Sequence, residues 1–117
     1  LGSKQKTPLL VRKKEQHLIN YLNDKDYTLA FQAIISLYHE MLYWHIRKLV
    51  LVHEDADDVL QNTYIKIYKG IKNFKQKSSI KTWVYRIAYN ESIRHLEKAG
   101  RKKWRFLTRW LNFIGQN

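Results

Sequence analysis

Cysteine is absent from the 117 residues of this chain. Its absence excludes a disulfide scaffold, a cysteine-ligated zinc finger and a cysteine nucleophile. Proline occurs once and glycine four times, so helix breakers are scarce and helices are favoured. No apolar run approaches the roughly 20 residues that a membrane-spanning helix needs. We therefore expect a soluble domain with neither membrane insertion nor a secretory signal.

Acidic residues are scarce in the second half of the chain. Residues 59–117 hold 14 Lys and Arg but only two acids, Glu91 and Glu97, so this half carries the whole net charge of +12. Residues 1–58 hold eight basic and eight acidic residues and are neutral. This asymmetry predicts a polyanion-binding surface next to a surface for another partner, although a well-solvated lysine-rich surface would show the same composition.

Apolar side chains recur every three or four residues, which is typical of helices and not of strands. The first predicted helix covers residues 9–22, and the polar residues 23–26 that follow can cap a second helix. The apolar stripe of that second helix runs from Phe31 to Val50. The hydrophobic fraction of 44% is sufficient for a core. The pattern predicts an all-α fold, a compact bundle of about four to five helices.

Two further helices are predicted in the second half. Asp55 is a natural N-cap for the third, which we expect to end near Phe74, before a polar loop at residues 75–79. Serines of this loop can cap the fourth helix, for which Gly100 is a natural C-terminal stop. We expect residues 1–8 to be a cloning remnant with a disordered lead-in, residues 9–100 to form the helical domain, and residues 101–117 to form a basic amphipathic tail.

The five histidines do not form a metal-binding or catalytic pattern. His39 and His45 miss the spacing of a zinc-protease helix, and His45 lies on an apolar stripe, where a satisfied core imidazole is expected. The sequence has neither a glycine-rich phosphate loop nor a nucleophile elbow. We predict no enzymatic activity, no cofactor, no metal site and no small-molecule substrate.

Two motifs follow each other in the second half. Residues 55–62 read D-A-D-D-V-L-Q-N, and residues 82–90 read T-W-V-Y-R-I-A-Y-N. Together they resemble region 2 of bacterial RNA polymerase sigma factors of the extracytoplasmic-function (ECF) type, over about Tyr27 to Lys103. The matching residues are Asp55, Ala56, Asp58, Val59, Gln61, Phe74, Thr82, Trp83, Arg86, Ile87, Ala88 and Asn90. The chain departs from the family pattern at Asp57, Arg94 and Glu97.

The resemblance implies that the first motif binds core RNA polymerase, at the coiled coil of its largest subunit. The candidate polymerase-binding residues are Asp55, Asp58, Gln61, Asn62 and Ile65. The last four are three or four residues apart, so one helical face can present them together. Alternatively, the acidic residues only cap the helix, but this leaves Gln61 and Asn62 without a role.

The resemblance also implies that the loop captures a base flipped from the non-template strand of the −10 promoter element, and that the fourth helix reads the flanking DNA. The candidate DNA-binding residues are Lys75, Gln76, Lys77, Ser78, Ser79, Lys81, Trp83, Arg86, Asn90, Arg94, Lys98 and Arg101. Cations and hydrogen-bonding side chains suit phosphates and base edges. Trp83 is suited both to core packing and to base stacking.

The function that the resemblance implies is transcription initiation: binding core polymerase, recognising the −10 element and helping to melt it. It further implies an anti-sigma factor as a partner, and a cytoplasmic bacterial location that becomes nucleoid-associated when polymerase is engaged. The family's second domain, region 4, does not fit after Gly100, so we expect an isolated region 2 or a shortened relative. The tail would then begin the linker, add a packing helix, or bind a membrane surface or a partner.

Two rival functions remain open at this point. One is a basic nucleic-acid-binding helical module without a polymerase role. The other is an interaction domain whose basic tail binds membranes or an acidic regulator. The acidic D-A-D-D-V-L-Q motif favours the sigma interpretation over both, because phosphate binding gains nothing from carboxylates.

Overall fold

A computed structural model describes residues 8–76 and 78–115, and within these ranges the chain is all-α. Its elements are α1 (Leu9–Asn23), α2 (Tyr27–Leu49), α3 (His53–Gly70), a 3-10 turn (Ile71–Asn73) and α4 (Ile80–Gly115). The predicted helical bundle is therefore confirmed. None of the described helices is both long and apolar enough to span a bilayer.

The core is centred on α2, against which α1, α3 and α4 all pack. Ile34, Leu42 and Ile46 of α2 are fully buried, as their spacing of four and eight residues on one helix face predicts. Val59 and Ile67 of α3 are also buried in this cluster. Burial of this apolar surface is what holds the four helices together.

The beginnings of α2 and α3 show where capping can be read from sequence. Asp26 caps α2, because its Oδ1 accepts a hydrogen bond from Leu29 N at 3.2 Å. The prediction that Asp55 caps α3 is wrong. Val52 is the N-cap, and its carbonyl accepts the Ala56 N–H at 2.9 Å, so the first turn begins before Asp55 and includes it. Asp55 lies inside that turn, where a carboxylate still favours the helix dipole.

The prediction that Gly100 ends the last helix is also wrong, since α4 continues to Gly115. Gly100 does not adopt the left-handed conformation of a C-terminal cap, and good helix formers follow it. A helix of this length spans about 54 Å. The radius of gyration is 19.3 Å, against the roughly 13 Å of a compact chain of this size, because the second half of α4 extends beyond the bundle.

Candidate functional site

The acidic motif forms an exposed face on α3. Asp58, Gln61, Asn62 and Ile65 are all exposed, and their spacing places them on one side of the helix. Ile65 is 48% exposed, so the face combines polar side chains with an apolar one. We call these four residues the α3 docking face. The helix is fixed from behind by buried Val59, Thr63 and Ile67.

A groove of about 480 Å³ separates this face from α4. One wall carries residues of α3 and the other residues of α4, and they are Asp55, Asp58, Gln61, Asn62, His95, Lys98, Ala99 and Lys102. His95 Nε2 lies 3.4 Å from Asp55 Oδ2 and joins the two walls. Asp55 is half-buried where it lines the groove, whereas Asp58, Gln61 and Asn62 line it and are exposed.

Lys98 lies on the α4 wall of the groove, opposite the α3 docking face. It belongs to the predicted DNA-binding set, but it lines the same groove as Asp58 and Gln61. His95 and Lys102 were not recognised as site residues from the sequence. The sequence carries no signal for either residue, because their place in the groove depends on how α4 packs against α3.

A buried carboxylate joins the two helices behind the groove. Glu91 is only 7% exposed, and its Oε2 lies 3.2 Å from Lys66 Nζ of α3 and 3.8 Å from Arg94 Nη1. A carboxylate buried to this extent needs a cationic partner. Nearby, the fully buried Ser92 donates to Ala88 O at 2.8 Å, so its hydroxyl is satisfied where α4 packs on the bundle.

A second cavity, of about 520 Å³, lies between α1 and the loop that precedes α4. The loop contributes Phe74, Gln76, Ser78 and Ser79, with Ile80 and Lys81 following; the helices contribute Glu15, Leu18, Ile19, Leu22 and Tyr38. We call this space the loop cavity. It has apolar walls and a rim with amide, hydroxyl, ammonium and carboxylate groups. Such a site has the composition of a pocket for a flat polar ring.

Two described residues of this loop, Gln76 and Ser79, have distinctive local structure. Gln76 has a φ of 57°, in the left-handed region that non-glycine residues seldom adopt. Ser79 caps α4: its Oγ accepts the Thr82 N–H at 3.1 Å and donates to Thr82 Oγ1 at 2.9 Å. The predicted serine cap is confirmed. Lys77, which was predicted to bind DNA, lies outside the described residues.

Trp83 is partly buried and packs against the core of the domain. Its ring centroid lies 5.0 Å from that of Phe74, and a Cβ at Gly70 would be 3.1 Å from Trp83 Cζ2. The indole therefore closes the space between the end of α3 and the loop. The geometry supports the packing role, because the indole lies beside Phe74 at the wall of the loop cavity; the base-stacking role stays a prediction.

Two tyrosines and a histidine of the core have shifted protonation equilibria. Burial, followed by the charge of Glu15, raises the pKa of Tyr38 to about 12, and burial raises the pKa of Tyr64 to about 12. Burial, and then the charge of Lys48, lowers the pKa of His45. The ring of His45 packs against that of Tyr85, with 4.4 Å between the two centroids, as expected for a core imidazole. Its Nε2 has no hydrogen-bond partner among the described residues. Those residues contain no metal-binding cluster.

The basic stripe predicted on α4 is exposed along its length. It consists of Arg86, Asn90, Arg94, Lys98 and Arg101, and successive members are three or four residues apart, so they lie along one side of the helix. The stripe begins one turn after Lys81 at the loop cavity. It ends at the groove beside the α3 docking face, so α4 connects the two sites.

The geometry agrees with comparisons to known proteins. A family model described as Sigma-70 region 2 matches residues 34–102. The chain is 32% identical over 94 residues to the RNA polymerase sigma-H factor of Pseudomonas aeruginosa, covering 80% of this chain and 48% of that protein. It is 37% identical over 70 residues to the ECF RNA polymerase sigma factor SigW of Bacillus subtilis, covering 59% of this chain and 37% of that protein.

A solved structure is similar over most of the chain. It is the NMR structure of an engineered region 2 of sigmaE in complex with GTAAAA, with a TM-score of 0.64 and 28% identity, covering 86% of this chain and 96% of that one. The present chain spans less than half the length of the two curated relatives named above. The match of the family model to more than half of the residues, with ECF-type relatives over the same segment, shows that the chain belongs to the Sigma-70 region 2 family, in its ECF type.

Proposed function

We propose that this chain acts in transcription initiation, by binding core RNA polymerase and recognising the −10 promoter element. The observation that carries the proposal is the arrangement of two different surfaces on one rigid helix pair. The α3 docking face is polar and partly acidic, whereas the α4 stripe is mostly basic and begins near the loop cavity, whose rim carries Lys81 and Glu15. A factor that connects polymerase to DNA needs both surfaces at a fixed separation, and the ion pair between half-exposed Lys66 and buried Glu91 joins α3 to α4.

We assign the polymerase contact to Asp55, Asp58, Gln61, Asn62 and Ile65. Carboxylates and amides on an exposed helix suit a partner with complementary cations and hydrogen-bond donors. Ile65, nearly half exposed, supplies apolar contact area at the same place. The coiled coil of the largest polymerase subunit is the partner expected for this helix in the family.

We assign the promoter contact to the loop cavity and the α4 stripe. A base taken out of a stack costs a few kcal/mol, which a pocket must offset through packing and hydrogen bonds. Gln76, Ser78 and Ser79 supply hydrogen-bonding groups at the cavity rim, and Phe74 supplies an aromatic wall. Lys75, Lys77, Lys81 and the cations of the stripe would hold the phosphates. The sigmaE relative was solved with GTAAAA, which supports single-stranded DNA as the ligand.

The proposal includes no catalytic step and no cofactor, because capturing and melting DNA requires only binding energy. Recognition would act on the non-template strand, and strand separation would follow from trapping its bases. We also propose a cytoplasmic site of action, on the nucleoid when polymerase is bound, and control by an anti-sigma factor. The 9–100 boundary of the sigma domain stays a prediction.

Binding to core polymerase tests the first surface. Asp58→Arg and Gln61→Ala should each weaken the binding of the labelled chain to core enzyme by about tenfold or more, since a central interface residue contributes about 1.4 kcal/mol or more. Glu97→Arg makes the same charge change on an exposed part of α4 outside the groove and should bind normally. Equal binding of Asp58→Arg and Glu97→Arg would show that the docking assignment is wrong.

Binding to single-stranded DNA tests the second surface. The chain should enrich particular sequences from randomised oligonucleotides, with GTAAAA as a first defined probe. Asn90→Ala should reduce this selectivity, while Lys81→Ala should weaken binding and lower the salt slope by about 0.7. Lys48→Ala, an exposed lysine on α2, is the control. If no sequence binds better than a scrambled strand, the rival function of a general basic module is correct.

A further inference from the structure

The last part of α4 is a helix that no other described element covers. We call residues 101–115 the tail helix; every one of them is exposed. Trp104 is 68% exposed, and Phe106 and Phe113 are each 67% exposed. Tryptophans at these positions are expected either to be buried or to contact a partner, and within the described residues they are not buried. An apolar surface of this size in water marks an interaction site.

The tail helix is sharply amphipathic. At about 100° per residue, its apolar side chains fall within about half of the circumference; they are Trp104, Phe106, Leu107, Trp110, Leu111, Phe113 and Ile114. The other half carries Arg101, Lys102, Arg105, Thr108, Arg109 and Asn112. Lys103 is the one cation inside the apolar arc, at its first turn, where a long stem can extend past apolar neighbours.

We propose that the tail helix binds the surface of an anionic lipid membrane, lying in the interface with its apolar half toward the acyl chains. Its charge is complementary to such a surface: residues 101–115 hold five Lys and Arg and no acid. Four of its seven apolar residues are Trp or Phe, aromatic side chains of the kind that anchor interfacial helices. The proposal does not depend on the proposed role in transcription.

Other occupants fit these residues less well. A second copy of the chain would bring ten cations together with no acidic residue of either tail to pair them, and like charges at an interface are repulsive. DNA would match the basic half but would leave the apolar half in water. A lipid surface satisfies both halves at once, because its headgroups are anionic and its acyl region is apolar.

The shape of the domain permits this contact. Fifteen helical residues extend about 22 Å, and all of them are exposed to solvent. The helix can therefore lie flat without moving the bundle. Binding would place Lys102, and with it the groove beside the α3 docking face, close to the membrane.

Vesicle sedimentation of the 117-residue chain tests the proposal. Vesicles of phosphatidylcholine and phosphatidylglycerol in equal amounts should bind the chain, and vesicles of phosphatidylcholine alone should bind it far more weakly. Each cation near an anionic surface contributes about 1 kcal/mol to the binding free energy, which changes the binding constant by a factor of about five. The triple variant Arg101→Gln, Arg105→Gln, Arg109→Gln should therefore bind about a hundredfold more weakly.

The apolar half is tested by Trp110→Ser, which should lower vesicle binding by about tenfold or more. Trp44→Ser is the matched control, because Trp44 on α2 is exposed to a similar degree, 58% against 54% for Trp110. The circular dichroism melting of Trp110→Ser should match that of the unchanged chain, so a lost fold cannot explain lost binding.

Three results would overturn the proposal. The first is equal binding to neutral and anionic vesicles, and the second is equal loss in Trp110→Ser and Trp44→Ser. The third is a dimer in lipid-free solution that Trp110→Ser dissociates while vesicle binding is absent, which would assign the apolar half to a second copy.

Discussion

Lys66 Nζ of α3 lies 3.2 Å from Glu91 Oε2 of α4, and Glu91 is almost completely buried while Lys66 is half exposed. The pair therefore joins the helix that carries the docking face to the helix that carries the DNA-facing stripe. Because the cation keeps part of its hydration, the pair stabilises the fold less than a fully buried one would.

Removing the cation should destabilise the domain through the carboxylate that remains. Lys66→Ala should lower the free energy of unfolding by about 1 kcal/mol, since Glu91 then retains only Arg94 at 3.8 Å. Urea unfolding followed by circular dichroism measures the change. Lys69→Ala, on the same helix and exposed, is the control, and equal stability of the two variants would contradict the role of the pair.

The serine cap of α4 should be measurable on its own. Ser79→Ala removes the acceptor for the Thr82 N–H and should cost about 1 kcal/mol of unfolding free energy. Ser78→Ala is a matched control, because Ser78 Oγ makes only a long contact of 3.4 Å to Ser79 O. Thermal melting of both variants gives the comparison, and a greater loss in Ser78→Ala would refute the cap.

Trp83 should behave as a packing residue. Trp83→Ala opens a cavity beside Phe74 and Gly70 and should cost about 3 kcal/mol, whereas Trp83→Phe should cost clearly less. Denaturant unfolding measures the difference. If Trp83→Ala instead left stability unchanged and reduced only DNA binding, the indole would be a base-stacking surface.

Alkaline pH should weaken the fold through Tyr38 and Tyr64. Their folded pKa values of about 12 lie above the unfolded value of about 10. Their contribution is therefore fully present below pH 10 and is lost as the pH rises from about 10 to about 12. Each tyrosine should reduce the unfolding free energy by up to about 1.4 kcal/mol per pH unit in this range.

The check is urea unfolding across this pH range in tyrosine variants. Tyr38→Phe and Tyr64→Phe should each flatten the decline, because phenylalanine does not ionise. Tyr68→Phe is the control, because Tyr68 is 58% exposed. An identical pH slope in all three variants would exclude the buried tyrosines as its cause.

Much of the fold could be predicted because its helices bury residues at helical spacing. The α2 positions Ile34, Leu42 and Ile46 are all fully buried, as the periodicity indicates. The helix ends were predicted less well. Asp55 is a favourable capping residue, but the helical hydrogen bonds of α3 begin at Val52. Gly100 is a favourable terminating residue, but α4 continues past it. The preference of a single residue for a helix end is only a weak constraint on where the helix begins or ends.

The candidate site was predicted in part. The α3 docking face is visible in the sequence, since its members are spaced along one helix. The opposite wall, with His95 and Lys102, is not visible, because it depends on how α4 crosses α3. The same holds for Glu15, which reaches the loop cavity from α1, although the loop lies about sixty residues further along the chain.

The sequence alone determined the helical class, the family motifs and the restriction of the positive charge to one half of the chain, because each follows from residue type and spacing along a single helix. The tertiary structure decided which of those residues share a surface. It placed Lys98 beside Asp58, buried Glu91 against Lys66 and left the tail helix uncovered. These relationships depend on the packing of one helix against another, which spacing along the chain does not specify.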